Sequence, residues 1–141
     1  MEWFVLAVLS AFFAAFVSIF AKVGLQGVDS TVATAVRAMV MLVFIVAFMF
    51  FVGKGSQLTT FSRRDMVFIV LSGVAGALSW LFYFAALKVA DASRVAPVDR
   101  ASLLIVIVLS ALFLGERITL KTAIAAIFIF AGVLLFALKL D

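Results

Sequence analysis

The sequence lacks two residue types that many catalytic and metal-binding sites use, since its 141 residues include no cysteine and no histidine. Disulfides, thiol chemistry and the usual soft-metal sites are therefore excluded, and we expect no metal site and no cofactor. Charged residues make up only 13% of the chain, against about 25% in soluble domains. The acidic residues are scattered singly, and hydrolase, metalloprotease and phosphate-loop motifs are absent, so we expect no enzyme.

Apolar residues are abundant instead, at 68% of the chain, with a mean hydropathy of +1.40. A globule of this size has too much surface to hide so many apolar side chains, so lipid must be the solvent for most of it. We expect one transmembrane domain over residues 1–141. The net charge of +4 comes from basic residues that lie between apolar runs, which indicates topology signals and no nucleic-acid partner.

Five apolar runs are long enough to cross a bilayer, which takes about 20 residues of helix. They cover residues 3–23, 31–52, 66–87, 95–114 and 122–138. Polar and apolar residues do not alternate in them, which excludes barrel strands. The sequence therefore predicts an all-α integral membrane protein, a bundle of five transmembrane helices. No cleavage site closes the first run, so we expect that run to stay in the mature protein.

The basic residues are almost evenly divided between the two sides of this predicted bundle. Five spans place the two termini on opposite sides. The N-terminal side carries Lys54, Arg63, Arg64, Arg117 and Lys121. The other side carries Lys22, Lys88, Arg94 and Lys139, with Arg37 and Arg100 deeper. Positive charge marks the cytoplasmic side, and the basic residues of the N-terminal side lie more clearly in loops. The rule therefore weakly favours a cytoplasmic N-terminus and equally permits insertion in both orientations.

Four charged residues fall within or at the ends of the spans, at similar depth near one side: Lys22, Arg37, Asp99 and Arg100. A charge inside a span costs roughly 2.5–3.5 kcal/mol on insertion scales and is a functional candidate. Lys22 could instead reach the interface by snorkelling. Asp99 could pair with Arg37 or with Lys22. Such a pair could pin the second and fourth helices together or could line a polar vestibule, and both alternatives stay open.

Small and aromatic residues share one face of the third helix: Ser72, Gly76, Ser79 and Tyr83, flanked by Gly73 and Trp80. The small residues could allow close helix packing. Alternatively, Ser79, Trp80 and Tyr83 could line a passage for an organic molecule. The fourth helix has a similar face: Asp99, Ser102, Val106 and Ser110.

The ends of the fourth helix carry their own signals. We expect Ser93 to cap this helix and Pro97 to lie in its first turn, where proline loses no hydrogen bond. At the other end we expect Gly115 and Glu116 to close the helix, with Glu116 and Arg117 at the membrane interface.

The stretch ALKVADASRVAPVDRASLLIVIVLSALFLGERIT, followed by AIFIFAGVLLF, resembles the end of an EamA domain, the repeat unit of the drug/metabolite transporter superfamily. The matching features are Ala86-Leu87, the small residues Ala92 and Ser93 before Pro97, the Gly115–Thr119 turn and Gly132-Val133. Lys22 and Arg37 also lie where the family often has Lys and Arg. Leu103 and Ala125 depart from the pattern, because many members have Pro and Gly there. The PVDRAS stretch is similar to that of short, five-helix members.

This resemblance implies a secondary transporter of small organic metabolites, often an exporter, in the plasma membrane. Typical members have ten helices in two oppositely oriented units, so we expect a homodimer of five-helix halves, possibly antiparallel. The candidate substrate-binding residues are Arg37, Ser79, Trp80, Tyr83, Asp99, Arg100 and Ser102. Two alternatives stay open: a non-transporting accessory subunit, and a cation exporter similar to the small multidrug exporters. The second would require Asp99 to replace a carboxylate that the first helix lacks.

Overall fold

The computed structural model describes residues 2–138, and nearly all of them are helical. The α-helices are α1 (Glu2–Gly24), α2 (Ser30–Phe51), α3 (Arg63–Val89), α4 (Ala92–Asp99), α5 (Ser102–Leu109) and α6 (Leu120–Ala137). A 3-10 turn, Gly55–Thr59, lies between α2 and α3, and a π-helical turn, Ser110–Leu114, follows α5. Lys139, assigned above to one membrane side, lies outside the described residues.

Five helical segments among residues 2–138 are long and apolar enough to cross a bilayer. They are α1, α2, α3, the segment Ala92–Leu114 that contains α4 and α5, and α6. Large apolar side chains along them are exposed; for example, Phe4 is 59% exposed, Phe44 71% and Phe128 74%. Such surfaces would be unstable in water and are stable in hydrocarbon. The prediction of an all-α membrane fold with five spans is confirmed.

Two helices begin earlier than the apolar runs do, because polar residues cap them. At the start of α3, the Asp65 carboxylate accepts hydrogen bonds from the Ser62 backbone N–H at 3.1 Å and hydroxyl at 2.7 Å, and the Ser62 hydroxyl accepts from the Asp65 N–H at 3.2 Å. This reciprocal pair is a capping box. At the start of α6, the Thr119 hydroxyl accepts from the Thr122 N–H at 3.1 Å. Capping therefore extends both helices beyond the apolar residues that predicted them.

The fourth span differs most from its prediction, because it is two helices rather than one. Its first helix begins at Ala92 with Asp91 at the N-cap, so Ser93 lies inside the helix and its prediction as the cap is wrong. Pro97 lies in the interior of α4 and not in its first turn. There, proline removes the bond to the Ser93 carbonyl and crowds it. The helix begins at Ala92, three residues before the apolar run that predicted it.

The helix tightens and stops just after Pro97. The Arg100 N–H bonds the Pro97 carbonyl at 3.1 Å and the Ala101 N–H bonds the Val98 carbonyl at 2.9 Å, a three-residue spacing that replaces the α-helical one. The far end of the span closes at Gly115, whose φ of 70° is left-handed and suits glycine.

The chain divides into two compact units. One unit is Phe20–Val89, with the end of α1, α2 and α3; the other combines the start of α1 with α4, α5 and α6. In the first unit, α2 packs on α3, and the buried apolar side chains are Leu25, Tyr83, Phe84 and Leu87. In the second unit, α4 and α5 both pack on α6. A single transmembrane domain stays a prediction.

Two buried hydroxyl groups within the spans bond to the backbone of their own helix. The Ser18 hydroxyl donates to the Ala14 carbonyl at 3.1 Å, and the Thr34 hydroxyl donates to the Ser30 carbonyl at 2.7 Å. Both side chains are buried. Within residues 2–138, no buried side-chain nitrogen or oxygen is without a hydrogen-bond partner. Hydrocarbon offers no replacement for such partners, so the polar residues in the spans are compatible with a bilayer.

The N-cap of α2 predicts a pH dependence of stability. The Asp29 carboxylate accepts from the N–H groups of Thr31 at 2.8 Å and Val32 at 3.2 Å. The hydrogen bonds from Val32 and then Thr31 hold the pKa of the Asp29 carboxyl below its ordinary value. The charged form therefore stabilises the fold above the unfolded-state pKa, and this contribution is lost as the pH falls through the folded-state pKa.

We expect Asp29→Ala to lower the Tm at neutral pH and Asp29→Asn to keep most of the stability, since Asn caps helices equally well. The Tm difference between the parent and Asp29→Ala should shrink in acid, whereas the Tm difference between Asp29→Asn and Asp29→Ala should not. Thermal unfolding in detergent across a pH series measures both. Equal Tm values for the parent and Asp29→Ala at neutral pH would show that the cap contributes nothing.

Candidate functional site

Lysines from two segments bind backbone carbonyls where α3 ends. The Lys22 Nζ donates to the Leu87 carbonyl at 2.7 Å, and the Lys88 Nζ donates to the Val28 carbonyl. The last carbonyls of a helix lack partners in their own helix and carry the negative end of its dipole. Lys22 thus ties the end of α1 to α3, and Lys88 ties α3 to the α1–α2 connection. In the structure, Lys22 joins α1 to α3. Its position at the membrane interface stays a prediction.

Arg37 lies against α3 with its guanidinium stacked on an indole. The Arg37 Cζ is 3.5 Å from the centroid of the Trp80 ring and 5.7 Å from that of Phe84. Arg37 is seven residues beyond the first residue of α2, a rise of about 10 Å along the helix. A cation over an aromatic face gains about 0.5–2 kcal/mol, the larger value when water is excluded. This contact offsets part of the cost of placing a charge inside a span.

The aromatic side chains around Arg37 hold one another by edge contacts. The ring centroids of Trp80 and Tyr83 are 5.5 Å apart and those of Trp80 and Phe84 5.8 Å apart, both in a T-shaped arrangement. Tyr83 and Phe84 follow Trp80 by three and four positions on α3, so both lie on the same side of the helix as Trp80. Tyr83 and Phe84 are buried, and Trp80 is half-buried. We call Arg37, Trp80, Tyr83 and Phe84 the arginine–indole site.

No carboxylate neutralises Arg37 within the unit Phe20–Val89. The two acidic residues of that unit are Asp29 and Asp65. Each is used at a helix start, Asp29 for α2 and Asp65 for α3. A guanidinium has five N–H donors around its edge, and stacking on a ring covers its face but not that edge. The side chain therefore keeps unused donors that suit an oxyanion.

Ser79 is the remaining predicted site residue of this unit, and it is exposed next to Trp80 on α3. The small residues that share its face leave room beside the helix. A Cβ added at Gly73 or at Gly76 would meet no atom within 4 Å. Within this unit, no helix packs closely against Gly73 or Gly76. Close helix packing on this face and the lining of a passage both stay predictions.

The other predicted residues, Asp99, Arg100 and Ser102, meet at the interruption of the fourth span. Asp99 ends α4, Arg100 lies in the turn, and Ser102 begins α5. All three are exposed. Interrupted helices in membranes present backbone and side-chain polar groups within the span, where transporters bind ions and substrates. The break was missed from sequence, and Pro97 inside a helix is the signal that could have found it. Pairing of Asp99 with Arg37 or Lys22 would link a residue of one unit to a residue of the other, and it stays a prediction.

Glu116 and Arg117 lie in the non-helical connection between the fourth and fifth spans, and both are exposed. Their interfacial position stays a prediction. Among residues 2–138, no group of three or more His, Cys, Asp or Glu is placed to hold a metal ion.

Five membrane spans, a charged residue stacked on an indole inside one of them and an interrupted helix in another are features of the class of polytopic membrane transporters. Residues 1–138 match the model of the EamA-like transporter family, and the chain belongs to that family. A protein of Sinorhizobium sp, described as an uncharacterized transporter in the cobO 3' region, is 43% identical over 136 residues, which is 96% of each chain. No solved structure matches the chain.

These comparisons confirm the resemblance to the drug/metabolite transporter superfamily, and the protein is a multi-pass membrane transporter of that type. The relative is about as long as this chain, because the alignment covers 96% of each. The relative's length is therefore also that of five helices rather than ten.

The contact between Arg37 and Trp80 predicts a measurable coupling between α2 and α3. In a double-mutant cycle of Arg37→Met and Trp80→Leu, we expect a coupling energy of about 0.5–2 kcal/mol. Unfolding in detergent measures the four free energies. As a control, Arg37→Met combined with Phe68→Leu, near the other end of α3, should be additive. Additivity of the Arg37 and Trp80 changes would mean that the stacked contact contributes nothing to stability.

Proposed function

We propose that the protein is a secondary transporter that exports small organic metabolites across the plasma membrane by alternating access. The observation that carries this proposal is the arginine–indole site, a charged group held inside a span with donors left unused. Charges at such depth are costly and are found where a membrane protein handles polar cargo. Ser79 beside this site, and Asp99, Arg100 and Ser102 at the helix interruption, are the other proposed substrate-binding residues.

We further propose that the working form is an antiparallel homodimer. Transporters of this superfamily typically combine two oppositely oriented five-helix units, and substrates bind between such repeats. A second copy in the opposite orientation would rebuild that arrangement. The nearly even division of basic residues between the two sides supports it, because it favours neither orientation strongly. The comparable length of the relative supports it as well.

Substrate transport tests the first proposal. Ligands are found by thermal shift in detergent over amino acids, nucleosides, organic carboxylates and cationic drugs, because a ligand that binds the folded state raises the Tm. Uptake of each hit into proteoliposomes is then compared among variants. We expect Arg37→Ala and Asp99→Ala to lower uptake by about tenfold or more, since each loses a charged hydrogen-bonding group.

Lys54→Ala is the matched control, because Lys54 is an exposed cation beyond the end of α2. Its uptake should equal that of the parent. Unchanged uptake in both site variants would refute the site assignments. If neither the parent nor any variant transports a hit, and Arg37→Ala loses a membrane partner in pull-down, the protein is an accessory subunit and the transporter proposal fails.

Orientation tests the second proposal. The chain has no cysteine, so single cysteines can be introduced directly as Gln26→Cys and Ser56→Cys, on opposite sides of α2. A membrane-impermeant maleimide then labels each from outside the cell. For an antiparallel dimer we expect about half of the copies to be labelled at each site, because half insert each way. Complete labelling at one position and none at the other would exclude the antiparallel arrangement.

A further inference from the structure

Arg37 covers one face of Trp80 and leaves its own N–H edge free of that contact. The Arg37 Cζ lies 3.5 Å from the indole centroid, so this face of Trp80, which could attract a cationic substrate, is already covered by a cation. A second cation arriving there would meet a guanidinium. The part of Arg37 that stays available is its edge of N–H donors, which binds oxygens in pairs.

The charges near this site reinforce the same preference. Residues 20–40 and 80–89 contain three cations, Lys22, Arg37 and Lys88, and one carboxylate, Asp29. Lys22 and Lys88 donate to backbone carbonyls, which do not cancel their charge. A positive field over an apolar surface attracts anions and repels cations, and it is stronger where little water screens it.

From this geometry, and resting on the proposed transport function, we infer that the substrate is a small organic anion. Its carboxylate or phosphate group binds the N–H edge of Arg37, while Trp80 holds the guanidinium by its face. Planar oxyanions match the guanidinium in a bidentate manner. The inference opposes a cation exporter similar to the small multidrug exporters, for which this site has the wrong sign.

Trp80 itself can report binding. The chain has two tryptophans, Trp3 and Trp80, so Trp3→Phe leaves Trp80 as the single emitter beside Arg37. The Trp3→Phe protein in nanodiscs of zwitterionic lipid serves as the parent for this experiment. It is titrated with an acid, a phosphate ester, an amide and an amine that share one carbon skeleton. We expect the anions to change the Trp80 emission at concentrations about tenfold or more below the amide and the amine, because only they form charge-assisted hydrogen bonds.

Three variants of this parent separate charge from fold. Arg37→Gln should lose the anion response, and Arg37→Lys should keep a weakened one, because lysine carries the charge without the planar fork. Lys54→Gln, which removes an exposed cation at the other end of α2, should respond as the parent does. The thermal unfolding of each variant shows that it is folded.

Several outcomes would overturn the inference. Tighter or equal binding of the amine, an anion response that persists in Arg37→Gln, or no response to any anion would each do so. An anion response that appears only in Asp99→Asn would identify Asp99 as the permanent partner of Arg37, with the same consequence. A response to nanodiscs of anionic lipid that small anions do not reproduce would assign the site to lipid headgroups, which also overturns it.

Transport of the best-binding anion separates this inference from the proposed function. Binding at Arg37 without uptake into proteoliposomes would remove the transport function and leave the anion site. Uptake of an amine that survives Arg37→Gln would leave the transport function and remove the anion site.

Discussion

Hydrocarbon cannot replace water as a hydrogen-bond partner, and this constraint shapes the protein from its helix ends to its charged residues. Every span is helical because a helix satisfies its own backbone. The ends, which a helix cannot satisfy, are closed by side chains: Asp29 for α2, the Ser62–Asp65 pair for α3 and Thr119 for α6. Lys22 does the same at the other end of α3 by donating to the Leu87 carbonyl. Capping at these ends gives backbone groups the partners that the helix itself does not provide.

The same constraint makes Arg37 exceptional. The buried hydroxyls of Ser18 and Thr34 bond to their own helix, whereas a guanidinium has more donors than one helix can satisfy. In its own unit its partner is the face of Trp80, which stabilises the charge and accepts no hydrogen bond. The site is thus stable enough to fold and still chemically incomplete. Under the proposed function, this incompleteness would link the packing of α2 on α3 to the binding of a polar substrate.

The fourth span solves the problem differently. Pro97 removes one backbone bond, and the chain tightens at Arg100 and Ala101 before α5 begins. Asp99, Arg100 and Ser102 therefore lie at a tightened turn between α4 and α5, where the backbone stays in the right-handed helical region. Interruptions of the α-helical pattern within a span are places where membrane transporters bind ions and substrates. The sequence grouped Asp99 and Arg100 by their charge and Asp99 and Ser102 by their helix face, whereas in the structure all three lie at one turn.

The number and positions of the five spans were determined by the sequence alone, because the apolar length of a run is a local property. Arg37 could also be identified from the sequence as a candidate binding residue, since a charge in an apolar run is visible without a structure. Its stacking on Trp80, 43 positions further along, was decided by tertiary structure, because the contact depends on how α2 and α3 rotate and pack against each other. The same holds for Lys22 and the Leu87 carbonyl. The sequence placed the start of this helix about one turn too late, because the apolar run begins at Val95 and the helix begins at Ala92.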